Sequence, residues 1–162
     1  MESVLKKFSE GKLEEVKKAA KKRIAKDNED PEGWFLLGMV SHEKGNESYA
    51  LDCFERATYL KSTEKYHKAK GMAHMALFEF GEAADEMKEA LEFKNDAESQ
   101  FMLAMALMFL NDADASKHLE EAHRIKPKKT RKMLMHFYET FFKEDPDIPE
   151  KEKKALMKKF GI

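Results

Sequence analysis

Cysteine, proline and glycine are scarce in this chain, and each shortage removes a class of protein. The one cysteine, Cys53, can form neither an intramolecular disulfide nor a cysteine-based zinc site, which fits a reducing compartment. Four prolines and seven glycines in 162 residues are too few for collagen, low-complexity disorder or a turn-dense sheet fold. Long apolar runs are missing as well: a membrane span needs about twenty residues, and the longest uncharged apolar run, Phe101 to Leu110, stops at ten. The opening MESVLKKFSE lacks the apolar stretch of a secretion signal, so a cytoplasmic protein with no membrane contact is expected. Nor does one charge dominate. Thirty Lys plus Arg against 31 Asp plus Glu leave a net charge of -1, so no global field draws the chain toward nucleic acid or anionic lipid.

What is present is a compact, strongly charged chain with an internal repeat. Gly38, Gly71 and Ala104 are spaced by 33 residues, each within an apolar stretch of helical pattern: WFLLGMV, KAKGMAHMALF and FMLAMALMF. A small residue at that point lets a second helix approach closely. Twelve residues after each glycine a second apolar face begins, Ala50, Phe54, Ala57 and then Ala83, Met87, Ala90. The third copy, Ala115, Leu119, Ala122, comes one residue early, which predicts a shorter turn near Asn111 to Ala113.

The expected boundaries follow from capping chemistry. Asp30, Pro31 and Glu32 read as an N-cap, a first-turn proline and an acid at the positive end of the helix dipole. Gly45-Asn46 closes that helix, Gly81 is assigned the matching role at the next turn, and Pro127 stops the third pair. The predicted organisation is one all-α domain over 1–162: a partial repeat at 1–30, full repeats at 31–63, 64–96 and 97–129, and C-terminal helices at 130–162. Thr130 to Phe142 reads as one more first helix. After the breaker Asp145-Pro146-Asp147-Ile148-Pro149, EKEKKALMKKF reads as a last amphipathic helix with Ala155, Leu156, Met157 and Phe160 as its apolar members.

Catalytic and metal chemistry find no support at this level. His67 and His74 are seven apart, His118 and His123 five apart, and His42-Glu43 lacks a second ligand four residues on, where Asn46 stands. There is no glycine-rich phosphate loop and no GxSxG elbow, and the carboxylates lie among lysines in the pattern of solvated helix faces, as with Glu14 and Lys18. Neither an enzyme, a metal site nor a cofactor is expected.

The segment PEGWFLLGMVSHEKGNESYALDCFERATYLK, with Trp34, Leu37, Gly38, Gly45, Ala50, Phe54 and Ala57, resembles the tetratricopeptide repeat. The neighbouring copies depart from it: the second has no tryptophan and carries Lys70 where leucine is usual, while the third has Leu103, Ala104 and Pro127. The resemblance covers about residues 1–142. It implies an all-α, right-handed superhelical stack of antiparallel helix pairs, closed by a C-terminal capping helix, for which 149–160 is the candidate.

It also implies a binding groove lined by the first helix of each pair. The family's second, fifth, ninth, twelfth and thirteenth repeat positions fall on Glu32, Phe35, Met39, His42 and Glu43; on Lys65, Lys68, Met72, Met75 and Ala76; and on Glu98, Phe101, Met105, Met108 and Phe109. The outer helices add Leu5 and Phe8 at one end and Leu134, Tyr138, Phe141 and Phe142 at the other. The family's basic and asparagine clamp for an acidic C-terminus is replaced in the third copy by Met and Phe. So apolar a lining implies a protein-interaction scaffold for an apolar or amphipathic segment, steered by Lys65 and Lys68 toward acidic flanks.

Two other occupants compete for the same residues. The stripe is equally readable as core packed between adjacent first helices, or as a face covered by the chain itself, through its last helix or a second copy in a homodimer. A further alternative uses the outer faces: Lys17 to Lys26, and Lys126, Lys128, Lys129, Arg131 and Lys132, form basic stripes for a nucleic-acid-associated adaptor. Those stripes have no aromatic side chains interleaved, which disfavours nucleic acid.

Overall fold

The computed structural model describes residues 3–160, except the side chains of Leu156, Lys159 and Phe160. Met1, Glu2, Gly161 and Ile162 of the expected flanking segments lie outside the described residues. So do the Leu156 and Phe160 side chains expected to pack the last helix.

Among the described residues ten helices follow one another: α1 (Val4–Ser9), α2 (Leu13–Lys26), α3 (Pro31–Glu43), α4 (Glu47–Leu60), α5 (Glu64–Ala76), α6 (Phe80–Phe93), α7 (Ala97–Phe109), α8 (Ala115–Ile125), α9 (Pro127–Phe141) and α10 (Glu150–Phe160). Each helix from α1 to α9 packs on its neighbour in sequence, as in a stack of antiparallel pairs. The start signal recurs every 33 residues. Asp30, Thr63 and Asp96 each turn a side-chain oxygen onto free first-turn N–H groups of α3, α5 and α7, at 3.0, 3.3 and 2.9 Å. The sequence singles out Asp30; the other two caps do the same work.

The stop signal recurs as well, in a form the sequence partly hides. Left-handed backbone occurs at Gly11, Gly45, Phe78 and Asn111, with φ of 73°, 72°, 61° and 58°. Gly81, expected at the second turn, instead lies inside α6, and the bulky Phe78 holds the strained position that Gly45 holds one repeat earlier. The third connection is also longer than expected, since residues 110–114 separate α7 from α8 whereas 44–46 and 77–79 serve the earlier pairs. Asn111 keeps the turn in register, and the difference is taken up by the late start of α8.

Close packing within a pair depends on the small residue in its first helix. A Cβ on Gly38 would lie 2.5 Å from the ring of Phe54, and one on Gly71 would lie 2.3 Å from the Cε of Met87. Both partner side chains are fully buried; the Phe54 ring is rigid and cannot yield at low cost, whereas the contact on Gly71 is with the far end of the flexible Met87 side chain. The register fails in the fourth first helix. Thirty-three residues after Ala104 stands Phe137, buried against Phe101, Phe109, Phe141 and Phe142 at centroid distances of 4.8 to 6.4 Å. A ring thus stands where three repeats have Gly or Ala, and it packs toward α7. Pro127 opens α9 instead of merely ending α8, so that helix starts three residues ahead of Thr130, where the sequence reading begins it. The last helix, α10, is tied by Lys153, whose buried ammonium donates to the Lys143 carbonyl at 3.0 Å and faces Glu150 at 3.4 Å.

Candidate functional site

Along the inner surface, the repeat sets acids and bases of successive first helices against each other. Lys65 on α5 reaches Glu32 on α3 at 2.7 Å, and the Tyr66 hydroxyl donates to the same carboxylate at 3.0 Å. Lys68 lies 3.1 Å from Glu64, 3.4 Å from Glu98 and 3.5 Å from Asp96, while Lys129 on α9 meets Glu98 at 3.3 Å. Burial pulls Lys68 toward losing its proton, but the hydrogen bond to Glu64 and the charges of Glu98 and Asp96 outweigh it and raise the pKa. For Asp96, burial favours protonation. Hydrogen bonds from the Ser99 N–H and hydroxyl, with Lys68 nearby, overcome that and hold it below the ordinary carboxylate value. Lys65 also lies over the Phe35 ring, 4.4 Å from its centroid. Both lysines expected to steer a ligand's acidic flank are therefore already engaged with the protein's own acids.

The remaining candidate lining divides sharply. Phe35, Phe101, Met105 and Tyr138 are core residues, between 2% and 8% exposed, so they are not on offer as an open groove. Met39 packs half-buried against the first core cluster, and Met75 and Met108 against the later ones. His42 is half-buried, its Nδ1 2.7 Å from Glu47. Met72 and Phe109 are open, at 40% and 37% exposure. The ninth repeat position makes the pattern plain: Met72 faces solvent, while Met105, its equivalent one repeat on, is shut away.

A larger opening lies at the C-terminal end, where α9 touches α8 near Thr130 and then diverges from it. Thr130 donates its hydroxyl to the Ala122 carbonyl at 2.8 Å, which pins the narrow end. Beyond it is a cleft of about 990 Å³ whose apolar floor includes Met105, Met108, Ala115, Leu119 and Leu134. Its rim carries both signs: Asp112 in the α7–α8 turn and Glu120 midway along α8, His123 and Arg124 about one turn further, Arg131 at the start of α9, and Lys158 of α10. Arg124 is held by Glu121 through two bonds of 2.7 and 2.6 Å. Sequence reasoning placed Met105, Met108 and Leu134 in the groove and Leu119 on a buried second-helix face, but did not find the cleft they share.

One cluster has the outline of a nucleophilic triad. Ser62 Oγ lies 2.8 Å from Nε2 of His67, and Nδ1 of that ring lies 2.7 Å from Glu86, which also takes Lys70 at 2.8 Å. The repeat explains it without catalysis. Trp34, one repeat earlier, donates its indole N–H to the Asn28 carbonyl, and Gln100, one repeat later, bonds Asn95 and His118. In all three repeats the fourth position of the first helix clamps the loop that leads into it, and His67 is the middle clamp. Among the described residues no group of three His, Cys, Asp or Glu could hold a metal ion. Among the same residues no helix is long and apolar enough to cross a membrane.

The tetratricopeptide repeat family model matches residues 31–64, the segment whose caps and glycines fit the pattern most fully. No curated protein matches the chain. Solved structures that resemble it include MamA residues 41 to the end from Desulfovibrio magneticus RS-1, at a TM-score of 0.74 and 15% identity over 98% of this chain and 87% of that one. TTC0263, a thermophilic TPR protein of Thermus thermophilus, aligns at 0.67 and 18% identity over 82% and 76%. YrrB, described as a TPR protein with an unusual peptide-binding site, aligns at 0.70 and 19% identity over 97% and 80%. At these identities the likeness speaks to the fold. Together with the matched repeat and the 33-residue series of caps, turns and small residues, it shows one tetratricopeptide repeat at residues 31–64 within a fold of stacked helix pairs like that of tetratricopeptide repeat proteins.

Proposed function

We propose that the protein is a non-catalytic protein-interaction scaffold that holds an apolar or amphipathic segment of a protein partner at the open, C-terminal end of its first-helix surface. The single observation that carries this reading is the cleft of about 990 Å³ between α7, α8 and α9, floored by Met105, Met108, Leu119 and Leu134. An apolar side chain left in water forgoes about 1.5 to 3 kcal/mol that full burial would supply, so covering the half-buried Met108, Ala115 and Leu119, which lie over the buried Met105 and Leu134, favours an occupant. Methionines suit a surface that must fit varied side chains, because the unbranched thioether repacks readily. Phe109 and Met72 extend the apolar path inward, toward the middle of the groove. The engaged state of Lys65 and Lys68 argues that anchoring is apolar rather than ionic in that middle section.

The test is a peptide-display selection on the wild-type chain and on Met108→Glu, each first shown by circular dichroism to be equally helical. Peptides with apolar anchors at helical spacing should enrich on the wild type, with affinity falling at least about tenfold on the variant. Equal enrichment on both would remove the cleft from the function.

A further inference from the structure

The turns inside successive helix pairs change character along the chain. Between α3 and α4 the residues are Glu43, Lys44, Gly45, Asn46 and Glu47, without one large apolar side chain, and the turn closes. The same positions one and two repeats later hold Phe78, Phe80, Phe109 and Leu110. With Phe141 these rings form a chain across the turns. Phe78 meets Phe80 edge-on at 6.2 Å, Phe80 stacks on Phe109 at 4.3 Å, and Phe109 meets Phe141 at 5.9 Å. Phe78, Phe109, Leu110 and Phe141 are 71%, 37%, 48% and 44% exposed, so the ridge has an open apolar side. Phe78 holds a left-handed φ of 61° where Gly45 serves one repeat earlier, and its exposed ring recovers little of that cost by packing. A local rule broken without a return inside the fold points to a use outside it.

Charge selects the occupant of this ridge. The segments that carry it, 77–82, 109–115 and 141–145, hold six acids, Glu79, Glu82, Asp112, Asp114, Glu144 and Asp145, against one cation, Lys143. Among the described residues none of the six pairs with a lysine or arginine, whereas Glu32, Glu64 and Glu98 of the inner surface each hold a lysine. Neighbouring cations do not offset the excess. Lys117 lines the outer side with Gln100 and His118, and α10 brings two acids and three lysines at 150–154, of which Lys153 is buried and faces Glu150. Unpaired carboxylates repel nucleic acid and anionic lipid, and aromatic faces attract cations. We infer that the ridge docks a basic, arginine-bearing segment of a protein partner. Its guanidinium planes stack on the exposed rings while their N–H groups reach the carboxylates beside them, a combination open to arginine but not to lysine. Apolar residues of the same segment cover Leu110 and Phe141. The exposed side chains of the ridge are not part of the cleft lining, so this surface stands apart from the cleft.

The probe is a fluorescein-labelled peptide of about twelve residues repeating arginine, leucine and serine, followed by anisotropy on the full chain at about 0.15 M salt. Matched peptides carry lysine or glutamate in place of arginine, and each protein variant is first shown by circular dichroism to be as helical as the wild type. The wild type should bind the arginine peptide at least about threefold more tightly than the lysine peptide, and should not bind the glutamate peptide. Phe78→Gly should weaken binding about fivefold or more, and so should Glu82→Gln combined with Asp114→Asn. Tyr59→Ser, which removes an 82% exposed ring on α4, should leave binding within about twofold of wild type. No binding by the wild type, or equal binding by Phe78→Gly, overturns the inference. A loss on Tyr59→Ser as large as that on Phe78→Gly also overturns it, since any exposed ring then serves. Equal affinity for the lysine and arginine peptides overturns the stacked guanidinium. Self-association of the wild type, seen by sedimentation and abolished by Phe78→Gly, makes a second copy the occupant and overturns the foreign segment.

Discussion

The middle of the molecule and its C-terminal end are built from the same repeat, yet one is closed and the other open. In the middle, Gly38 and Gly71 let α4 and α6 press onto α3 and α5, and acids and lysines of successive first helices neutralise each other across the surface. At the end, Phe137 takes the small residue's place, α9 diverges from α8, and cations at Arg131 and Lys158 border an apolar floor. The difference teaches that an opening in a solenoid need not come from an inserted loop or a special motif. Where the last first helix stays close to α8 only near Thr130, the face between them stays available.

The sharpest way to break the comparison is at the ninth repeat position, where Met105 is 2% exposed in the core beneath the cleft. Met105→Glu places an unpaired carboxylate among Phe101, Ala104 and Leu134, and should cost about 4 kcal/mol or more, seen as a collapse of the urea unfolding midpoint. A folded Met105→Glu chain of near wild-type stability would mean that this core is open to water.

Next in size is the charge ladder of the middle. Asp96 has its pKa lowered in the folded state, so its contribution to stability is present above its unfolded value, near 3.8, and is lost as pH falls through the lower folded value. Lys68→Ala removes the cation shared by Glu64, Asp96 and Glu98, and should cost about 1 kcal/mol at neutral pH. It should also move the acid-unfolding midpoint upward, because Asp96 then protonates at higher pH. An unchanged acid midpoint would assign the lowered pKa to the hydrogen bonds from Ser99 and the Glu98 N–H.

Much of this architecture is legible in the sequence, because helix pairing leaves a strict trace in residue size. Gly38, Gly71 and Ala104 mark close approaches, and Asp30 with Pro31 marks a helix start. What stays hidden has physical reasons. A left-handed turn is readable at Gly45 but not at Phe78, since nothing in a phenylalanine signals positive φ, and the nearby Gly81 draws the assignment three residues away. Groove positions carried over by register give the direction in which a side chain leaves its helix, but not whether the next helix covers it. Phe35 and Phe101 leave α3 and α7 toward the groove and are buried there by neighbouring rings, Tyr66 at 5.1 Å and Phe137 at 6.4 Å. The cleft depends on where a long helix diverges, which no local pattern encodes.

Phe78 offers a smaller test, of opposite sign. Its ring is 71% exposed and meets the edge of Phe80 at a centroid distance of 6.2 Å, while its backbone carries φ of 61°. Phe78→Gly removes the left-handed penalty and little packing, and should stabilise the chain by about 0.5 to 1 kcal/mol, a rise of a few degrees in Tm. Gly45→Ala, at the equivalent turn with φ of 72°, should lose a similar amount. If Phe78→Gly destabilises instead, the Phe78, Phe80 and Phe109 rings act as one packed unit across the turns.

The smallest expected effect lies at Met72, which shares the ninth position with Met105 but is 40% exposed on the inner surface. Met72→Glu places its carboxylate in water rather than in the core, on a helix face that already carries charge at Lys65 and Lys68. Its stability should change by no more than about 0.5 kcal/mol. Identical substitutions at positions related by one repeat would then differ by several kcal/mol, a direct measure of how far the groove closes between α5 and α7. Should Met72→Glu unfold the chain as Met105→Glu does, the middle of the surface is as tightly sealed as the end of the core. The apolar path from the cleft would then stop at Phe109.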